Sequence, residues 1–154
     1  MSTTLEADIE NSQTARSYCT FRIDGLLFGV QVHKVQEVLK NQPTTAVPLA
    51  PETVHGLMNL RGQIISALNV RCRLGLPSTD PDQSMNVVLR SDDGPISLLV
   101  DEIGDVIRVE ESQFEPVPDT VQGTQRELTL GAYKLDNQLL LILDTDQIVT
   151  AEDE

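Results

Sequence analysis

Turn-forming residues punctuate this chain so closely that only short elements fit between them. Asp24-Gly25, Arg61-Gly62, Asp92-Asp93-Gly94 and Asp136-Asn137 each separate two apolar runs of strand length. Tight hairpin turns demand positive φ, which Gly accepts readily and Asn or Asp tolerate, so these pairs predict β-hairpins. The flanking segments agree. Cys19, Phe21 and Ile23 fall on one side of an extended chain and Tyr18, Thr20 and Arg22 on the other, the period-two pattern of a half-buried strand. The return strand is Leu27 to Val32, and further strands are predicted from Val35 and over Leu57 to Leu60, Gln63 to Leu68, Asn86 to Arg90, Pro95 to Asp101, Ile103 to Val109, Leu128 to Lys134 and Gln138 to Leu143. About ten short strands with frequent turns point to all-β barrels or a sandwich.

The punctuation between strands has its own reading. A short turn is predicted near His33-Lys34, followed by a strand on which Val35, Glu37 and Leu39 share a face. Asn41 to Pro51 holds Pro43, Pro48 and Pro51, and Pro cannot donate to a ladder, so this segment runs outside the sheets. Pro51 to Val54 could begin a one-turn helix. Asn69 should cap a short helix over Val70 to Leu74, with Gly75 as a left-handed stop and Pro77 beyond it. The apolar phase shifts at Gly104, a candidate bulge. Pro77 to Ser84 and Pro116 to Gly123 read as loops, and Ile148 and Val149 end the patterned part. Phe21 to Gly25 echoes Tyr133 to Asn137, which fits either one hairpin type used in two subdomains or two hairpins converging on a common pattern. Residues 1–16 are polar and read as a disordered tail, residues 17–150 as the folded domain and residues 151–154 as an acidic tail.

Composition narrows the partners. Aromatic residues make up only 3% and Trp is absent, so the core must come from Val, Leu and Ile. A formal net charge of -13 repels phosphate backbones and anionic lipid, so nucleic acid and bare membrane are poor partners. Met1 to Arg16 lacks an apolar signal-peptide core, and no apolar run approaches the roughly 20 residues of a membrane span. The expectation is a cytoplasmic protein with no direct membrane insertion, reaching membranes only through a partner. In that compartment Cys19 and Cys72 stay reduced, Cys19 as a small core residue. Catalytic patterns are missing: His33 and His55 stand in no metal frame, there is no Gly-x-Ser-x-Gly elbow or phosphate-binding Gly loop, and Asp144-Thr145-Asp146 lacks the Gly and Glu of a calcium loop. The chain reads as no enzyme, with no cofactor and no metal.

His55 to Ile65 is the informative stretch, a strand, a tight turn with Arg61 at its tip, and a second strand. It resembles the CheW-domain signature, Gly-x-x-Asn-Leu-Arg-Gly. Lys34-Val35-Gln36-Glu37-Val38 is similar to that family's Lys-Val-x-Glu segment, and Leu99-Val100-Asp101 through Asp105-Val106 to its Val-Asp-x-x-x-Asp-Val segment. The resemblance runs from about Tyr18 to Ile148. Departures are Ser66 and Asn69 where the family often has Pro and Asp, and His55 where a lysine-type residue is usual.

The resemblance implies two five-stranded SH3-like β-barrels packed on a shared hydrophobic core, with short helices. It implies a non-catalytic adaptor coupling the cytoplasmic tips of chemoreceptors (methyl-accepting proteins) to the regulatory domain of the chemotaxis histidine kinase. It places receptor binding on Val35, Glu37, His55, Gly56, Met58, Arg61 and Val106, with Glu37 and Arg61 adjacent and Val35, Met58 and Val106 forming an apolar groove for a receptor helix. Kinase contacts are candidates by position only, near Gly25 to Val30 and Tyr133 to Leu143. An adaptor of a pilus-motility or other kinase pathway fits the same residues, and a small-ligand-binding β-barrel is the alternative of another class, which a filled barrel interior would exclude.

Overall fold

The computed structural model describes residues 15–77 and 83–150. Ten strands form in the predicted hairpin rhythm: β1 Ala15–Ile23, β2 Leu26–Gln31, β3 Val35–Leu39, β4 Val54–Leu60, β5 Gln63–Asn69, β6 Met85–Leu89, β7 Ile96–Val100, β8 Glu102–Glu110, β9 Thr129–Lys134 and β10 Leu139–Leu143. They make two five-stranded sheets, in the orders β8-β1-β2-β10-β9 and β3-β6-β7-β5-β4, each the sheet of a small SH3-like barrel. The pairs β2–β10 and β5–β7 are parallel, and the other neighbours antiparallel. The chain starts in the first barrel and crosses to the second through a 3-10 turn, Val32–Lys34. It returns at Asp101, between β7 and β8.

Successive side chains of a strand point to opposite faces, and here both faces are apolar. From the first sheet Phe21, Ile23, Phe28, Val30, Leu141 and Leu143 enter a large core. Tyr18, Leu27, Tyr133, Leu140 and Ile142 form a second cluster on the alternate positions. The second sheet divides likewise. Leu68, Val87, Leu89, Leu98 and Val100 join the large core, while Met58, Leu60, Ile65 and Val88 make a third cluster. One core is therefore shared between the barrels and one lies inside each. Polar groups on the interior faces are matched: Tyr18 and Tyr133 share a hydroxyl contact of 3.3 Å, and Ser97 Oγ donates to Asn86 Oδ1 at 2.8 Å.

Local rules act at the joins. Asn69 Oδ1 accepts the Cys72 N–H at 3.2 Å and caps helix α1, Val70–Arg73, which ends at Leu74 with Gly75 at φ 71°. The bulge at Gly104 is present. Cys19 faces Val106 and Phe21 faces Ile103, so Gly104 and Asp105 together oppose Thr20. The Thr20 hydroxyl donates to the Asp105 carbonyl at 2.6 Å. A Cβ on Gly104 would lie 2.5 Å from that hydroxyl, so any larger residue would displace the hydroxyl that closes the bulge.

At the return crossing, Arg71 of α1 is buried. Its Nε donates to Asp101 Oδ1 at 3.2 Å and its Nη2 to Asp101 Oδ2 at 2.5 Å, while Nη1 reaches the Pro77 carbonyl at 2.7 Å and Asp24 Oδ1 at 3.4 Å. Asp101 also accepts the Asp24 N–H at 2.8 Å. One guanidinium thus joins a helix of the second barrel, the β1–β2 turn of the first and the crossover between them. Burial alone pushes the Asp101 carboxyl up, but hydrogen bonds from Arg71 and the Asp24 N–H, with the Arg71 charge, outweigh it and hold the group below its usual range.

Several expectations need correction. β1 begins at Ala15, so Ala15 and Arg16 belong to the strand and not to the tail; the other tail residues, 1–14 and 151–154, and residues 78–82 of the Pro77 to Ser84 loop lie outside the described residues. Pro51 to Val54 is a turn closed by the Val54 N–H on the Pro51 carbonyl at 2.9 Å, with β4 already starting, and not a helix. The two echoing hairpins, β1–β2 and β9–β10, sit in the same sheet instead of one in each subdomain. Periodicity also missed helices α2, Thr124–Glu127, and α3, Thr145–Thr150, the latter placing Ile148 in the shared core.

Two outcomes follow for stability. Leu98→Ala, at a fully buried position of the shared core, should cost about 2–5 kcal/mol in urea unfolding, whereas Ile64→Ala, 59% exposed, should leave the midpoint nearly unchanged. Asp101→Asn should lower stability at neutral pH by roughly 1–3 kcal/mol. Because the folded carboxyl titrates below an ordinary aspartate, the contribution is complete above the ordinary value and fades as pH falls through the lowered one. The gap between the two chains should narrow correspondingly in acid.

Candidate functional site

The β4–β5 hairpin turns on Arg61 and Gly62, with φ of 52° and 87°. A two-residue turn with both central residues left-handed matches the twist of the flanking strands. Gly62 adopts it freely. Arg61 does so against its Cβ, at a cost of roughly 1–2 kcal/mol. Asn59 steadies the turn, its Oδ1 accepting the Gly62 N–H at 2.9 Å. The Arg61 side chain stands two-thirds exposed, and its Nη2 donates to Glu37 Oε2.

Glu37 comes from β3, at the opposite edge of the same sheet. In the order β3-β6-β7-β5-β4 the two outer strands meet only when the sheet curls, so the ion pair spans the seam of the second barrel. A bridge between Thr45 and Leu57, with both N–H to O=C distances 2.8 Å, lays the proline-rich loop along β4 on the same side. The hydrogen bond from Arg61 holds the Glu37 carboxyl below its usual range. Partial desolvation opposes this, and a bond from Gln36 Nε2 with the charge of Arg61 adds to it. So exposed a pair adds little to stability; what it fixes is the direction of a carboxylate and a planar donor fork at the surface.

The other proposed contact residues fare differently. Val35 faces Leu89 across the β3–β6 ladder but Glu37 faces Val88, so a bulge at Gln36 rephases the strand. Val35 then packs against the shared core, while Glu37 lies on the barrel-interior side with Val88 and Leu39. The expectation that Val35 and Glu37 share a face is therefore wrong. Met58 is 2% exposed inside the second barrel, so it lines no surface groove. Gly56 is buried, and a Cβ there would meet the Thr45 carbonyl oxygen at 2.7 Å, so its small size serves the loop's close approach. His55 is half-buried on β4. Val106 is 61% exposed on β8, the edge strand of the other sheet. The fold thus pairs Glu37 directly with Arg61, keeps Val106 as an exposed apolar residue on the first barrel, and takes Val35 and Met58 inward. Sequence reading passed over Gln36 and Asn59, which orient the pair; an Asn three residues before a turn Gly was the available signal for the second.

No further chemistry gathers here. Among the described residues no group of three or more His, Cys, Asp or Glu could hold a metal ion, and no helix is long and apolar enough to cross a membrane. Cys19 and Cys72 are free thiols, and burial pushes the Cys19 thiol up, away from reactivity. Both barrel interiors are filled by side chains, which removes the lumen that a ligand-binding barrel would need.

Comparison with known proteins gives a consistent picture. The family model for the CheW-like domain matches residues 17–153. The chain is 30% identical over 141 residues to "Chemotaxis protein CheW" of Bacillus subtilis, covering 91% of this chain and 90% of that one. It is 26% identical over 139 residues to "Chemotaxis protein CheW" of Rhizobium meliloti, covering 90% of each. The crystal structure of the scaffolding protein TtCheW from Thermoanaerobacter tengcongensis superimposes with a TM-score of 0.76 at 27% identity, covering 84% of this chain and 88% of that one.

Replacing the strained turn residue separates geometry from charge. Arg61→Asn suits a left-handed position and should keep or raise the thermal midpoint. It should also release the Glu37 carboxyl upward towards ordinary glutamate, read by carboxyl carbon NMR. An unmoved Glu37 titration would show that Arg61 is not its partner in solution.

Proposed function

This chain belongs to the CheW-like domain family, and from that membership we propose that it couples the cytoplasmic tips of chemoreceptors to the regulatory domain of a chemotaxis histidine kinase. The family is one of non-catalytic scaffolds, and this chain's work is to hold partners in a fixed geometry. The observation that carries the reading is the Glu37–Arg61 pair, displayed at a turn that tolerates backbone strain to keep an arginine at its tip. Strain kept at an exposed tip, where it gives little stability, is the mark of a residue retained for contact.

In this reading Glu37 and Arg61 orient a receptor helix and Val106 offers it an apolar contact, with His55 at the flank. Gly56, Val35 and Met58 support from beneath: the first admits the loop, the others fill cores. The kinase domain binds other surfaces, so both partners are held at once, and modest contacts add through effective concentration. The adaptor acts in the cytoplasm and reaches the membrane through the receptor.

Co-precipitation with a receptor cytoplasmic fragment and with the isolated kinase regulatory domain tests this. Arg61→Ala and Val106→Asp should each lose most receptor binding while keeping kinase binding and the thermal transition. Val35→Asp, aimed at the shared core, should instead lower the thermal transition and weaken both. Retention of receptor by both Arg61→Ala and Val106→Asp would overturn the assignment. The kinase that co-purifies from cells identifies the pathway, flagellar, pilus or other.

A further inference from the structure

β3 is an edge strand, held by β6 on one side only and interrupted by the bulge at Gln36. Its N-terminal end follows directly from the 3-10 turn that carries the chain between barrels. An edge strand with a broken ladder is poorly fixed, yet Glu37 lies just beyond the break. The residue that compensates is Arg90, immediately after β6. Its backbone N–H donates to the Lys34 carbonyl at 2.9 Å, extending the ladder one step past the Val35–Leu89 pair. Its guanidinium Nη1 then donates to the carbonyls on either side, His33 at 2.9 Å and Val35 at 2.7 Å. Three consecutive carbonyls, from the last turn of the crossover to the first residue of β3, are thus satisfied by one arginine. Charge-assisted bonds of this length are the stronger kind, and they fall on the side of the bulge away from Glu37, where they set the angle at which the strand enters it.

We propose that Arg90 is a positioning residue for the Glu37–Arg61 pair: by gripping the carbonyls of His33, Lys34 and Val35 it fixes the entry to the Gln36 bulge and so keeps the Glu37 carboxylate within reach of Arg61 across the barrel seam. The proposal deepens the receptor-contact reading of that pair and rests on it for its functional consequence, though not for its structural one. Arg90 touches no partner in this account; it acts through Glu37. The side chain is exposed, so replacing it removes two hydrogen bonds without opening a cavity, and the backbone bond to Lys34 survives.

The test uses the full chain with Arg90→Gln and Arg90→Lys. The readout that a merely supportive role would not move is the titration of the Glu37 carboxyl, followed by carboxyl carbon NMR. In the unaltered chain this group titrates below ordinary glutamate because Arg61 bonds it. Arg90→Gln should shift the Glu37 midpoint upward, as Arg61→Asn does, with the thermal midpoint little changed. Arg90→Lys, which can still reach one carbonyl, should restore part of the shift. Affinity for the receptor fragment should fall about tenfold, the effect of one lost charge-assisted contact, and affinity for the kinase domain should stay within about twofold on the same scale. A Glu37 midpoint in Arg90→Gln equal to that of the unaltered chain would overturn the proposal, whatever happens to binding. Failure of the unaltered chain to bind any receptor fragment would sink the receptor reading alone, and the carboxyl titration would still decide the positioning role.

Discussion

Between the barrels lies an apolar core to which both sheets contribute, and the burial of both faces of each sheet follows from it. A two-layer protein needs one apolar face per sheet; here Phe21, Phe28 and Leu141 face the shared core while Tyr18, Leu27 and Leu140, on the same strands, face the first barrel's interior. A one-residue slip of any central strand would exchange two packed faces instead of exposing one, so register is guarded from both sides. Register also shifts at Val54/Gly56 and Ile142/Leu143, but the bulges at Gly104 and Gln36 are each pinned by a side chain, Thr20 in one case and Arg90 in the other. Sheets packed on both faces and bulges pinned by side chains suit a member of a family of scaffolds.

On that frame the outward-facing chemistry is sparse. The Glu37–Arg61 pair crosses a seam between the two edge strands of one sheet, and its members are brought together by barrel closure and not by neighbourhood in the chain. Arginine at a left-handed turn position is locally unfavourable. Fold stability does not ask for it, since Asn or Gly would serve the turn better. The buried Arg71 is the contrast: it is surrounded by Asp101, Asp24 and the Pro77 carbonyl and ties the barrels together. Two arginines in short polar motifs serve opposite ends, and burial distinguishes them.

Much of the fold was legible because local rules were obeyed. Asp24-Gly25 and Arg61-Gly62 give hairpins, Asn69 and Gly75 bracket a helix, and the phase slip at Gly104 gives a bulge. What stayed illegible was long-range. The parallel pairing of β2 with β10 joins Phe28 to Leu141, and no local pattern announces such a partner. Met58 was placed at the surface by the family resemblance, and no local pattern in its strand says which face is outside when both are packed. Val35 and Glu37 read as facing the same way because two residues of regular strand separate like from like; the bulge at Gln36, invisible in a polar residue type, breaks that rule. Arg90 stood in a predicted strand end with nothing to mark it, since its partners are backbone carbonyls, which carry no sequence signature.

The order of crossings between barrels has a consequence for how the molecule is made. The second barrel's strands, β3 to β7, are contiguous in the chain, whereas the first is built from β1 and β2 at one end and β8 to β10 at the other. As the polypeptide leaves the ribosome, the β1–β2 hairpin can pair Phe21 with Phe28, but the edge of β2 that takes β10 stays open until β10 has been synthesised. Domains generally form in order of emergence, but here the barrel that begins first is the one that closes last. All five strands of the second barrel are available before the first has β8 to β10, so the first barrel can close only around a second whose strands are already made.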